Sequence, residues 1–112
     1  MMELKNKHMV VDALIKVVDA SPIPRYKLPT YNYAYTSGQQ SYNISIQEFG
    51  VWLNYVNSVL NISYQYTGLA LVLATQKEVL NISNNSQLSI AERTLQIEHI
   101  ILNLAQTILH YQ

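Results

Sequence analysis

The clearest helical pattern in this chain is SIAERTLQIEHIILNLAQTILH, which spans residues 89–110. Ser89 and Glu92 have the spacing of a capping box, in which each side chain satisfies a free backbone N–H at a helix start. At about 100° per residue, the polar side chains occupy a stripe only about 80° wide, and apolar side chains fill most of the remainder. A surface helix normally has an apolar stripe of about 100°, so we predict a central helix that is contacted on several sides. The polar stripe consists of Glu92, Gln96, His99, Asn103, Gln106 and His110.

One bundle of this size could enclose such a helix, but a subunit interface would enclose it more easily. Ile97, Ile101 and Leu102 are therefore candidate interface residues. Glu98 is a further candidate, because it lies inside the apolar arc and an unpaired buried carboxylate costs several kcal/mol or takes up a proton. We expect Glu98 to reach solvent at the edge of a groove. The alternatives are pairing with Arg25, Arg93 or a basic group of a second subunit, and, last, a role as a catalytic acid.

A second helical region begins at Ser45, which has capping-box spacing to Glu48. Gly68 either kinks, caps or merely interrupts it, so residues 45–82 form one bent helix or two. One apolar arc follows the cap, and Trp52 within it is a candidate interface residue. An uncharged polar stripe and a second apolar strip lie beyond this arc, and the candidates Tyr55 and Tyr66 lie in that strip. The arc contains Phe49, Trp52, Leu53, Val56, Val59 and Leu60; the polar stripe contains Gln47, Asn54, Asn57, Ser58, Asn61 and Gln65; the second strip contains Val51, Tyr55, Ile62 and Tyr66.

The N-terminal part has an amphipathic helical pattern over about residues 3–20, and the prolines at 22 and 24 end it. Residues 30–46 then alternate in the manner of two strands around a turn that contains Gly38. Tyr31, Tyr33 and Tyr35 would share one face of the first strand, and we list them as interface candidates. Since two strands alone are marginal in water, an extended arm lying across the helices is the alternative to a β-hairpin.

The predicted fold class is mainly α: an antiparallel bundle of three or four helices with a Tyr-rich β-hairpin or extended arm between the first and second helices. We expect one domain over residues 1–112. It would comprise the first helix at 1–20, the Pro/Tyr-rich segment at 21–44 and the helical core at 45–112.

Composition narrows the classes of function. Only 12% of the 112 residues are charged, the formal net charge is zero and cysteine is absent. An ordinary domain is about a quarter charged, yet the only charged residue between Lys27 and Lys77 is Glu48. A basic footprint for nucleic acid is missing, so we do not expect a nucleic-acid partner. With neither a secretory signal nor an apolar run long enough to span a bilayer, we expect a cytoplasmic protein, with the virion as the alternative, and no membrane partner.

Residues for catalysis or metal binding do not cluster in the sequence. His99 and His110 share a helix face but would lie about 16 Å apart along the axis, too far to share one ion. The glycines are isolated, so there is no phosphate-binding loop, and no nucleophile–base pair has a recognisable spacing. We expect neither enzymatic activity, nor a cofactor, nor a metal.

Two functions remain from different classes. The first is a non-enzymatic, self-associating structural or assembly subunit that forms homo-oligomers, such as a viral structural protein. The second is a small adaptor or inhibitor, for example a phage counter-defence protein, that binds another protein through a Tyr/Asn-rich surface. Tyrosine favours either, because it combines contact area with a hydrogen bond.

Overall fold

The computed structural model describes residues 4–23 and 44–111, and within them the chain is mainly helical. The helices are α1 (Leu4–Asp19), α2 (Ile46–Thr67), α3 (Ala70–Ser83) and α4 (Ile90–Leu109). The prediction of a mainly α chain is confirmed. No strand occurs in either described range.

Most of the predicted Tyr-rich hairpin or arm lies outside the described residues. Its C-terminal end is described, and there the prediction of a strand is wrong. Ile44 and Ser45 are not in a strand, and Ile46 is the first residue of α2. The capping-box hydrogen bonds decide this boundary, because they fix Ser45 as the residue that precedes the helix.

Both predicted capping boxes are confirmed. The Ser45 hydroxyl accepts from the Glu48 N–H at 3.0 Å, and the Glu48 carboxylate accepts from the Ser45 N–H at 3.0 Å. Ser89 and Glu92 make the same pair of hydrogen bonds, at 3.0 and 2.9 Å. Each box satisfies two backbone donors that the first turn of the helix leaves free. Each of these two helix starts is therefore fixed by a pair of residues three positions apart in the sequence.

Gly68 separates α2 from α3, so residues 45–82 form two helices. Its φ is 65° and its ψ is 14°, a left-handed conformation that glycine adopts without strain. The Gly68 N–H donates to the Tyr64 carbonyl at 2.7 Å, which ends α2. The Leu69 N–H then donates to the Thr67 hydroxyl at 3.2 Å before α3 begins.

The turn between α3 and α4 is held by polar contacts to its backbone. The Asn85 side chain accepts from the Gln87 N–H at 3.0 Å, as in an Asx turn. The Arg93 guanidinium of α4 donates to the Asn85 carbonyl at 2.9 Å and to the Ser83 carbonyl at 3.4 Å. A cation thus binds the carbonyl end of α3, where the helix dipole favours positive charge.

Cross-helix hydrogen bonds show how α1 is oriented. The Lys7 ammonium near its start donates to the carbonyl of Tyr111, just past α4, at 3.1 Å. The Ser21 hydroxyl, just past the end of α1, donates to the carboxylate of Glu98 in the middle of α4. Since residue numbers rise along one helix as they fall along the other, α1 is antiparallel to α4.

The last helix occupies the central position that its sequence predicts. It contacts α1, α2 and α3, and every member of its polar stripe is exposed. Side chains from all of these helices meet in one apolar core. The largest of its fully buried apolar side chains are Leu14, Val17, Val56, Leu60, Val72, Val79, Ile97, Ile101 and Ile108.

The expectation that Glu98 reaches solvent is wrong. Glu98 is only 5% exposed, and the Ser21 hydroxyl bonds its carboxylate. The sequence pattern placed Glu98 correctly within the apolar arc. What it could not show is that residues beyond the end of α1 lie over this position and bring a donor to it.

Candidate interaction surface on the second helix

Beyond its first turn, the outward face of α2 is uncharged and partly apolar. Glu48, in the first turn, is the only charged residue in α2, and the sequence carries no further charge before Lys77. The apolar arc that the sequence predicts for this helix packs inward: Phe49, Trp52, Val56, Val59 and Leu60 are buried and Leu53 is partly buried. The second apolar strip faces solvent. Val51 is 73% exposed, Ile62 51%, Tyr66 48% and Tyr55 41%.

This face has three parallel parts on a helical wheel of about 100° per residue. The mid-line consists of Val51, Ser58 and Ile62, which lie within about 20° of Val51. The tyrosine edge, Tyr55 and Tyr66, lies about 40–60° to the side that adjoins α1. The amide edge lies about 40–80° to the other side. The amide edge consists of Gln47, Asn54, Asn61 and Gln65, all exposed.

A hollow adjoins the tyrosine edge at the N-terminal end of α2. It has a volume of about 560 Å³ and is bordered by the end of α1 and the first turns of α2. Trp52 forms part of its wall and is held in place by a hydrogen bond of 2.8 Å from its indole N–H to the Val17 carbonyl. The lining residues are Ala20, Pro22, Ser45, Gln47, Glu48, Val51, Trp52 and Tyr55.

A smaller groove lies farther along the same edge. Its volume is about 110 Å³, and its walls come from the middle of α1 and the C-terminal half of α2. Met9, which is 52% exposed, extends the apolar surface across it. The lining residues are Met9, Val10, Ala13, Val59, Ile62, Ser63 and Tyr66.

The chemistry of this face suits non-covalent contact. Amide and hydroxyl groups can donate and accept hydrogen bonds, and tyrosine combines apolar area with a polar tip. Within the described residues, no group of three or more His, Cys, Asp or Glu side chains comes together in a way that could hold a metal ion.

The ten candidate residues from the sequence fall into three groups. Tyr55, Tyr66 and Leu102 are exposed, and the first two share the tyrosine edge. Tyr31, Tyr33 and Tyr35 lie outside the described residues. The chain's own helices bury the remaining four, so these do not offer free surface to a partner. Those four are Trp52, Ile97, Glu98 and Ile101.

Three residues at the centre of the face, Val51, Ser58 and Ile62, are missing from those candidates. The spacing of Val51 and Ile62 with the two tyrosines was visible in the sequence. The pattern shows two apolar strips on one helix, and burial alone distinguishes the strip that packs inward from the strip that remains open.

No helix in residues 4–23 and 44–111 has the length and apolar character needed to span a bilayer. Comparison with protein families, curated proteins and solved structures gives no match for this chain.

Proposed function

We propose that this chain is a non-enzymatic, antiparallel helical bundle that self-associates through the outward face of α2. The observation that carries the proposal is the exposure of Val51, Tyr55, Ile62 and Tyr66 on one face of a helix with a single charge. The largest apolar patch on a typical monomer is about 300–600 Å² and is often functional. The small size and amide-rich composition suit a building block of a larger particle or filament, such as a viral structural protein.

The exposed apolar area of the α2 strip is compatible with association of moderate strength. The four side chains of the strip expose on the order of 300–400 Å² of apolar surface, judged from their exposed fractions and ordinary side-chain areas. Area of this size does not convert directly into affinity, because association costs about 4–15 kcal/mol in lost freedom and further in side-chain ordering and polar desolvation. Association should therefore depend visibly on concentration.

Electrostatics supports a partner without strong charge. The chain has zero formal net charge, and its outward α2 face carries only the Glu48 carboxylate, which already accepts from the Ser45 N–H of the capping box. A second copy of this face brings only one further charge of the same sign. Contacts of this kind should weaken little between low and moderate salt, whereas binding to phosphate groups falls steeply.

Light scattering over a range of concentrations tests self-association. The monomer mass is 12.8 kDa, and we expect the measured mass to rise towards at least twice this value at high micromolar concentration. Repeating the series at two salt concentrations should give nearly the same curve. A mass that stays at the monomer value throughout would contradict the proposal.

The second candidate function is a small adaptor or inhibitor that binds one different protein. The observation that favours it is the hollow of about 560 Å³ beside Val51 and Tyr55, which could take an apolar side chain of a partner. A strictly monomeric chain would favour this function, and Val51→Lys should then abolish binding to that partner without unfolding the protein.

A further inference from the structure

We propose that two copies bind through α2 in an antiparallel arrangement, with the two-fold axis passing beside Ser58. This inference rests on the proposed self-association and specifies its geometry. Ser58 is exposed, lies on the mid-line and is close to the centre of the helix that spans Ile46–Thr67. Its small side chain allows two helices to approach closely.

Symmetry determines which edges meet. For two antiparallel helices related by a two-fold axis in the plane of their contact, each edge of one helix lies beside the same edge of the other. The tyrosine edge therefore meets the tyrosine edge, and the amide edge meets the amide edge. A parallel pair, with its axis along the helices, would instead place the amide edge against the tyrosine edge.

The chemistry of the two edges favours the antiparallel pairing. Asn and Gln side chains both donate and accept hydrogen bonds, so the amide edge is complementary to itself. The tyrosine edge, with Tyr55 and Tyr66, gains more from another apolar edge than from amides that would lose water without full compensation. The mid-line and the amide edge carry no charged residue. The tyrosine edge carries one, Glu48, in the first turn of the helix, where its carboxylate accepts from the Ser45 N–H.

The positions of Tyr66 and of the large hollow along α2 give independent support for an axis beside Ser58. Tyr66 lies eight residues after Ser58, about 12 Å along the helix at 1.5 Å per residue. The hollow is lined by Val51 and Tyr55 on the other side of Ser58 and opens towards the same edge. An axis beside Ser58 therefore places Tyr66 of the second copy opposite this hollow, and the converse contact follows by symmetry.

The size of the face is compatible with a dimer. α2 has 22 residues and so is about 33 Å long. A contact along it, with the amide edges included, would bury on the order of 1,000–1,200 Å² in total, at the low end for specific interfaces.

Disulfide trapping tests the arrangement, because the chain has no cysteine of its own. Cysteines at position 58 would face each other across the axis within the roughly 7 Å that a disulfide allows between Cα atoms. We expect S58C to form a covalent dimer rapidly under mild oxidation. We expect V51C alone to do so poorly, because its two cysteines would lie about 21 Å apart along the helices.

A mixed sample distinguishes the antiparallel pair from the parallel one. Positions 51 and 65 are equally distant from Ser58, so V51C mixed with Q65C should form a hetero-disulfide. N103C, on the exposed polar stripe of α4, measures the yield from random collision. Efficient V51C self-linking, or S58C yields equal to those of N103C, would overturn this arrangement.

The trapping and mass measurements together distinguish a wrong dimer geometry from an absence of self-association. If the wild-type mass rises with concentration but S58C is not trapped above the control, self-association stands and this geometry is wrong. If the wild-type mass stays at 12.8 kDa and S58C is not trapped, the proposed function itself fails.

Discussion

At the scale of single residues, Trp52 ties the end of α1 to the start of α2. Its indole N–H donates to the Val17 carbonyl at 2.8 Å, and the ring is buried in the core. Val17 lies in the last turn of α1, where carbonyls lack partners within the helix. The tryptophan therefore supplies both apolar contact and a hydrogen bond that the helix cannot provide for itself.

We expect Trp52→Phe to lower the free energy of unfolding by about 1–3 kcal/mol, because the Val17 carbonyl loses its donor and the smaller ring leaves a space. Urea unfolding followed by circular dichroism measures the change. Tyr55→Phe, at an exposed position of the same helix, is the control and should change stability by less than about 0.5 kcal/mol. Equal effects from the two variants would show that the hydrogen bond and burial of Trp52 contribute little.

Ser21 is one hydrogen-bond partner of the buried Glu98 side chain. Its hydroxyl donates to Glu98 and also accepts from the Ile23 N–H at 3.1 Å. We expect Ser21→Ala to destabilise the fold by about 1–3 kcal/mol, since it removes a hydrogen bond to a buried carboxyl group. Ser86→Ala, in the exposed turn before α4, is the control for thermal unfolding. A Ser21→Ala variant as stable as the wild type would show that this hydrogen bond is dispensable.

The two faces of α4 should respond very differently to charge. Ile101 is fully buried, and Gln106 is exposed in the polar stripe. We expect Ile101→Asp to abolish the cooperative fold, because an unpaired carboxylate in the core costs several kcal/mol. Gln106→Lys should be tolerated within about 0.5 kcal/mol. Circular dichroism and thermal unfolding check both, and equal damage would show that the stripe is misplaced.

At the scale of helices, the two described glycines have opposite roles. Gly68 caps α2 with a positive φ, and Gly50 lies within α2, where a Cβ would meet no atom within 4 Å. Position 68 needs the conformational freedom of glycine. At position 50 glycine only lowers the helix propensity of α2.

We expect Gly68→Ala to destabilise the protein by about 1–2 kcal/mol, the cost of a left-handed residue with a Cβ. Gly50→Ala should stabilise it by up to about 1 kcal/mol. Urea unfolding of the two variants provides a matched pair. If both substitutions change the free energy of unfolding in the same direction, the assignment of Gly68 as the helix cap is contradicted.

At the scale of the whole molecule, the bundle hides one face of α4 and leaves one face of α2 open. The open face carries a single charged residue, Glu48 in its first turn, and the chain has no net charge. Natural monomers commonly avoid such a combination, since low net charge and exposed apolar area both promote association.

We expect Ser58→Glu to weaken self-association by about tenfold, because two carboxylates would face each other near the two-fold axis at a cost of about 1–3 kcal/mol. Light scattering at matched concentrations measures this, and added salt should restore part of the mass. Asn103→Glu on α4 is the control of equal charge. An unchanged mass for Ser58→Glu would place the contact elsewhere.

The sequence by itself determined the helical regions, two of the helix starts and the exposed stripe of α4. Capping boxes at Ser45 and Ser89 act within four residues, and the polar stripe follows from helical period alone. Such signals are local, so no other part of the chain is needed to interpret them.

Only the tertiary structure decided which of the two apolar strips of α2 packs inward, that Glu98 is buried beside Ser21, and that Gly68 ends a helix instead of bending it. Burial depends on which surfaces meet across the bundle, between residues such as Val17 and Trp52 or Ser21 and Glu98 that are far apart in sequence. The strip left exposed on α2 is the candidate site, and it became identifiable only once the other strip was seen to be covered.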